Sequence, residues 1–259
     1  MALISGASSG IGAAFAAVLP RTTDLVLTAS NAERLQGVAA RLAAPPRQVD
    51  ILAADLATPE GRAAVIDKVR THKIDLFISN AGAGWFGKFI ETSLASECAG
   101  LAVNVVAMVE LLHALVPGML AQASREHRRA GVIIVSSMGA FAAAPGLASY
   151  GAAKAFELDF ARSLAVELRG EPIDLLVLCP SYTDTGFFAH AGMPAPRRMM
   201  PAEAVAQEAL GALGRRTVHL CSLHRWYPQT ARQLFTFNPA LKPWGWPRQI
   251  AAKLRHEPS

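Results

Sequence analysis

The chain has 259 residues, of which 52% are hydrophobic and 17% charged, a balance that suits one α/β domain with a sheet covered on both faces. Its net charge of +5 does not mark a nucleic-acid binder: the basic residues are scattered, and the dense cluster Arg125-Glu126-His127-Arg128-Arg129 lacks interleaved aromatics and reads as a solvated loop. The uncharged residues 1–20 have no basic lead and are interrupted by Gly and Ser, which argues against a secretory signal, so a soluble, cytoplasmic protein is expected.

Strand-like apolar runs are predicted at 2–4, 24–29, 49–53, 75–79, 132–136, 174–179 and 217–222, with helical patterns near 11–19, 31–43, 59–70, 94–123, 150–169 and 202–213. The alternation predicts a doubly wound, Rossmann-like parallel sheet of about seven strands with helices on both faces. Right-handed crossovers then bring the carboxyl ends of the strands to one edge. Only Met1 to Ile4 stand before the first turn, so either the start is truncated or that edge of the core is lean. The turn, Ser5-Gly6-Ala7-Ser8-Ser9-Gly10-Ile11-Gly12, spaces its glycines G-x-x-x-G-x-G rather than G-x-G-x-x-G. Such a turn admits a ligand close to the backbone, and the helix after it offers unpaired N–H groups and a positive dipole end to a pyrophosphate. Strand two ends Leu27-Thr28-Ala29-Ser30, followed by Asn31 and, one helical turn on, Arg34. Residues 130–153 carry no charge over a length that invites a membrane span. Ser136, Ser137, Gly139, Pro145, Gly146 and Ser149 break them into strand, loop and helix start.

The most telling spacing is Ser137, Tyr150 and Lys154. Four residues apart on a helix, the phenol and the ammonium share a face. A Lys cation roughly 4–5 Å away, at an effective dielectric of about 20, favours the phenolate by ~3–4 kcal/mol, which suits Tyr150 to general acid/base work. Ser137, arriving from the strand end, is placed to hold a substrate oxygen. A buried Tyr beside a surface Lys is the plainer alternative for this short motif taken alone. His219-x-Cys221-x-x-His224 has donor types a metal would accept, but the alternation along Val218–Cys221 reads as a strand, and no metal is expected. Cys98, Cys179 and Cys221 are far apart in apolar contexts and read as small buried hydrophobes in a reducing compartment.

Taken together, these segments resemble the short-chain dehydrogenase/reductase family in its single-domain form, over roughly positions 2–223. Ser5–Gly12 matches that family's T-G-x-x-x-G-x-G with Ser in place of Thr, and Ser79-Asn80-Ala81-Gly82 matches its N-N-A-G. Pro180-Ser181-Tyr182-Thr183-Asp184-Thr185 matches P-G-x-V-x-T, with departures at Ser181 and Thr183. The resemblance implies an NAD(P)(H)-dependent carbonyl–alcohol oxidoreductase with Ser137, Tyr150, Lys154 and Asn104 as its catalytic set. Asn104 would support a water relay from Lys154. The dinucleotide would rest on Gly6, Ser8, Ser9, Gly10, Ile11 and Gly12. Ser30, Asn31 and Arg34 would lie at its adenosine ribose, Asp55 and Leu56 at the adenine, and Asn80, Ala81 and Gly82 at a ribose. Tyr150, Lys154, Pro180, Ser181, Thr183 and Thr185 would border the nicotinamide end. A dinucleotide-binding redox sensor without turnover, and an isomerase or dehydratase on the same scaffold, remain alternatives.

Four further expectations follow. No carboxylate stands at Ala29 or Ser30 to hold both ribose hydroxyls, so NADP(H) is expected over NAD(H), with Arg34 and the Asn31 amide as phosphate partners. Trp85, Phe86, Phe187 and Phe188, with the Met residues of the lid-like segment 186–200, imply a fairly lipophilic substrate. By resemblance, the helices near 94–123 and 150–169 pair subunits into a homodimer or homotetramer through Ala99, Ala102, Val106, Val109 and Ala161. Residues 1–223 would form the catalytic domain, and 224–259, with Trp226, Trp244 and Trp246, an extension packed on it or on a partner subunit rather than on a membrane.

Overall fold

The computed structural model describes residues 1–143 and 145–221. The expectations for 224–259 lie outside the described residues. Three strand–helix units and a fourth strand open the fold: β1 Ala2–Ser5, α1 Gly10–Val18, β2 Leu25–Ala29, α2 Ala32–Leu42, β3 Val49–Ala53, α3 Pro59–Val69 and β4 Leu76–Ser79. Then come α4 Leu94–Leu101, a π-helical turn Ala102–Val106 that runs into α5 Ala107–Arg125, β5 Ala130–Val135, α6 Ala148–Glu167 and β6 Ile173–Cys179. A small pair, β7 Thr183–Asp184 with β8 Met200–Pro201, brackets the short α7 Phe187–His190, and α8 Ala202–Ala212 and β9 Val218–Leu220 complete the described chain. The β7–β8 pair was not legible in the sequence, because two-residue strands leave no periodicity to read.

The main sheet has the order β3-β2-β1-β4-β5-β6-β9, all parallel. Each strand alternates between two apolar layers, the reason its sequence is a continuous apolar run. On β5, Val132 and Ile134 join the layer with α5 and α6, while Ile133 and Val135 join that with α1 and α8; β6 does the same with Val177 against Leu176 and Leu178. Fully buried Phe15, Phe77 and Leu111 each contribute about 2–3 kcal/mol by leaving water. The winding reverses between β1 and β4, so a crevice opens beyond their carboxyl ends.

Two helices are held by arginines whose roles only the fold reveals. Buried Arg47 donates to the carbonyls of Ala16, Leu19 and Pro20 at 3.1, 2.7 and 2.8 Å, closing the carboxyl end of α1 where a cation suits the dipole. Arg62 joins α3 to α5 through Glu110 at 2.8 Å and also donates to the Leu56 and Ala57 carbonyls.

The basic cluster is more than a solvated loop. Arg128 pairs with Asp75 and Glu126, and Arg129 reaches Asp174 at 2.9 Å, so the cluster ties the starts of β4 and β6. Two other expectations need correction: Cys98 is exposed, and Ala161 is wholly buried among the residues facing α5, so it presents no surface for a partner. The continuous helix Leu94–Arg125 is long and apolar enough to cross a membrane by composition, but Leu111, Leu112, Leu115 and Met119 turn its apolar side onto the sheet.

Candidate active site

The Gly-rich turn sits at the switch point. Gly6 has φ of +65°, a conformation open to glycine. At Gly12 a Cβ would overlap the Gly6 carbonyl oxygen and stand 2.5 Å from Asn80 Nδ2. Ser9 takes extended backbone before α1 and makes no side-chain cap, leaving the first N–H groups of α1 at the crevice. These features fit a dinucleotide pyrophosphate, the group a helix start of this form receives.

The Ser at the family's Thr position has a definite task. The Ser5 hydroxyl accepts from the backbone N–H groups of Asn80 and Ala81, both at 3.0 Å. The Asn80 amide returns two bonds, to the Ser5 and Gly6 carbonyls at 3.0 and 3.1 Å. The ends of β1 and β4 are thereby locked together.

Ser30 and Asn31 follow β2 as expected, exposed at the crevice, but the Asn31 side-chain oxygen is committed as the α2 cap, accepting from Arg34 N–H at 2.8 Å. Arg34 itself is exposed, its guanidinium 3.5 Å from His190 Nε2 of α7. Asp55 accepts from Ala57 N–H at 2.9 Å and Leu56 is buried. After β6, Pro180 is buried, its carbonyl accepts from Met138 N–H at 2.9 Å, and Thr183 Oγ1 donates to the Ser181 carbonyl. The Thr185 methyl lies against Gly10, 2.9 Å from where a Cβ would be. Segment 181–185 therefore reaches back to the Gly-rich turn. A cavity of about 770 Å³ borders that turn, lined by Ser8, Ser9, Arg41, Asp184 and Arg197 among others, and Tyr150 is not among its lining residues.

Ser137 begins a 3-10 turn just past β5. Its oxygen accepts from Gly139 N–H at 3.0 Å, so its own proton is free to be given elsewhere. A Cβ on Gly139 would stand 3.4 Å from Ser137 Oγ and 3.8 Å from Tyr150 Cε1, which measures how closely the two side chains converge. Lys154 Nζ lies 5.7 Å from the Tyr150 ring centre. The same nitrogen and Asn104 Oδ1 flank Gly82, at 3.3 and 3.0 Å from its Cβ position, so four separate sequence segments meet here.

Asn104 is held by the loop after β4. Its side chain donates to the Ala83 carbonyl at 2.6 Å and accepts from Ala83 N–H at 3.1 Å. The side chain is thus a brace for the loop after β4. Asn104 lies within the π-helical turn, which disturbs the regular carbonyl pairing of the helix.

The aromatic residues divide. Phe187 tilts over Tyr150 with ring centres 5.1 Å apart. Phe86 packs against Gly146, and its N–H donates to the Ala191 carbonyl at 2.8 Å. Trp85 lies against Gly100 in a narrow recess shared with Asn104, Ser149 and Tyr150. Phe188 instead is buried and stands edge-on to Tyr182 and Phe187, packing within the segment rather than facing the cleft.

Sequence reasoning missed Glu157. It is buried and grips the Lys154 ammonium with both oxygens, at 2.9 and 3.1 Å. Burial pushes its carboxyl up to about 7 even though the ammonium pulls the other way. Burial also works against the Lys154 charge, but Glu157 and Tyr150 outweigh it and its pKa is raised. The signal was an acid between apolar residues in Ala155-Phe156-Glu157-Leu158, three residues beyond Lys154.

Among the described residues, Glu208, His219 and Cys221 bring ligand atoms within 4.8 Å of one another. Burial pushes the Cys221 thiol well above its ordinary range, and His219 Nε2 lies 3.2 Å from Glu208, the contact that joins β9 to α8.

A phosphate-binding turn at the switch point, with Ser, Tyr and Lys converging beside it, defines a dinucleotide-dependent enzyme of the doubly wound class. A family model for short chain dehydrogenases matches residues 1–193. A 1-deoxy-11-beta-hydroxypentalenate dehydrogenase of Streptomyces avermitilis is 34% identical over 82% of this chain and 80% of its own. A short-chain dehydrogenase from Sphingobium yanoikuyae in complex with NADPH superposes with a TM-score of 0.81 at 28% identity, covering 100% of this chain and 96% of that one. A bulky-bulky ketone specific alcohol dehydrogenase from Comamonas testosteroni gives 0.74 at 27%, over 95% and 97%. The chain belongs to the short-chain dehydrogenase family, and it is an NAD(P)-dependent oxidoreductase interconverting a carbonyl and an alcohol.

Proposed function

We propose that the substrate is a bulky, lipophilic ketone or secondary alcohol, and that NADP(H) is the preferred cofactor. The observation that carries the substrate class is the aromatic side chains at the phenol: Phe187 lies over Tyr150 and Trp85 lines a recess with it, while Phe86 beside Trp85 packs on Gly146. The Comamonas relative, specific for bulky-bulky ketones, is consistent with it. A bound nicotinamide supplies or accepts the hydride. In the reducing direction, Tyr150 Oη gives its proton to the carbonyl oxygen. Ser137 Oγ, its acceptor side taken by Gly139, donates a hydrogen bond to the same oxygen as charge grows there. Lys154 sets the phenol's electrostatics, and to hold the cofactor ribose as well its ammonium would exchange one of its present partners, a Glu157 oxygen or the Val135 carbonyl. The test is a carbonyl panel followed by cofactor absorbance, with Tyr150→Phe alongside. Bulky apolar ketones should lead in kcat/KM and Tyr150→Phe should lose at least ~10²-fold in kcat with cofactor affinity kept. Preference for small 2-oxo acids, or near-normal turnover by the variant, would refute the reading.

The NADP(H) preference is supported by the missing carboxylate after β2, by the position of Arg34, and by Arg41 and Arg197 beside Ser8 and Ser9. Comparing kcat/KM with the two cofactors in wild type and Arg34→Ala tests it; unchanged discrimination in the variant removes Arg34 from the site. The chain is proposed to act in the cytoplasm, where an exposed thiol such as Cys98 stays reduced, with its catalytic unit ending near residue 223. It is proposed to form a homodimer or homotetramer, supported by exposed Leu101, Val106 and Phe156 on the helices flanking the active site. A monomer at micromolar concentration in light scattering would overturn this.

A further inference from the structure

Glu157 stands on the same face of α6 as Lys154 and Tyr150, at 2% exposure. An ammonium has three N–H donors, and here all have partners: the two Glu157 oxygens at 2.9 and 3.1 Å and the Val135 carbonyl at 3.0 Å. Ser136 at the end of β5 donates to the Lys154 carbonyl at 2.7 Å, fixing the helix where this side chain leaves it. A buried ion pair returns little or no stability over an apolar pair of similar volume. Its place beside the reacting phenol calls for another reason.

The geometry points to Glu157 as a positioning residue, a buried counter-ion that clamps the Lys154 ammonium and offsets its charge toward Tyr150. The inference rests on the oxidoreductase reading of Tyr150 and Lys154. The other titratable group that couples to the pair is Cys179 of β6, whose thiol burial pushes up to about 12 so that it stays neutral; Glu97 of α4 lines the recess at Tyr150 and is engaged by Ser149 and Thr92. With Cys179 neutral and Glu97 already bonded, the carboxylate that answers the Lys154 charge is Glu157. A chain with an apolar residue at 157 would present the full Lys154 charge to the phenol; this chain presents a charge largely answered on its far side.

The test is the near-ultraviolet phenolate titration of the full-length protein without cofactor, the Tyr150 step being assigned by its loss in Tyr150→Phe. Glu157→Gln keeps the shape and removes the charge. It should move the Tyr150 step to lower pH by about one pH unit, the effect of one nearby charge in a partly shielded interior. Glu157→Asp, which keeps a carboxylate, should recover part of the displacement. The pH profile of alcohol oxidation, which rises as the phenol ionises, should move down with it. A step that stays in place or moves to higher pH overturns the proposal. If the step moves but no alcohol or carbonyl is turned over, the reading of the enzyme fails while the electrostatic role stands; turnover with an unmoved profile does the reverse. Should Glu157→Gln not fold, Glu157→Met supplies the same titration with an unbranched apolar side chain.

Discussion

Ser5→Ala removes one oxygen and tests how the cofactor crevice is built. Ser5 is 1% exposed, and its hydroxyl accepts from two backbone donors, Asn80 N–H and Ala81 N–H, each at 3.0 Å. Each donor left unpaired away from water costs about 1–3 kcal/mol. Both residues are only part-buried, so water relieves some of this, and about 3 kcal/mol for the pair is the working figure. In a domain of this size 1 kcal/mol corresponds to about 2–4 °C, so Tm should fall by about 6–12 °C. The released loop carries Asn80, Ala81 and Gly82, so cofactor affinity should weaken as well. Differential scanning calorimetry gives the first quantity and fluorescence titration with NAD(P)H the second. Ser5→Thr, which keeps the hydroxyl, should retain most of both. A Ser5→Ala protein melting within about 2 °C of wild type would mean the two N–H groups find other acceptors, and the reasoning would fail.

Gly12→Ala places a Cβ onto the Gly6 carbonyl and beside Asn80 Nδ2, so the turn must shift; NAD(P)H affinity by titration should drop at least about tenfold, about 1.4 kcal/mol. Arg47→Ala strands three carbonyls at the end of α1 and should cost about 2–4 kcal/mol, read from the urea midpoint. Burial works against the Asp75 charge, but Arg128 beside it holds the carboxyl below its ordinary range. A depressed folded pKa contributes stability that is present above the unfolded value, about 3.9, and lost as pH falls through the folded one. Acid unfolding below about pH 4 should therefore flatten in Asp75→Asn, and an unchanged acid limb would dismiss the pair as a stabilising contact.

The winding of the sheet was legible because a doubly covered parallel sheet requires long apolar runs separated by helical periodicity, and the seven strands of the main sheet fall close to where those runs lie. The Gly-rich turn and the Tyr150–Lys154 pair were legible because their chemistry is local: four residues of helix, or one tight turn, bring the groups together whatever else the chain does. Contacts between distant segments were not. Nothing in the order of residues says that Ser5 would hold Asn80 and Ala81, that Arg47 would close α1, or that Phe187 and not Phe188 would lie over the phenol. Glu157 shows the division most sharply. Its distance from Lys154 along α6 is written in the sequence, but its burial is not. An exposed acid three residues from a lysine is a weak, screened pair. Enclosed against β5 and β6, the same carboxylate answers a catalytic charge, because the packing of α6 on the sheet removes the water that would have screened it.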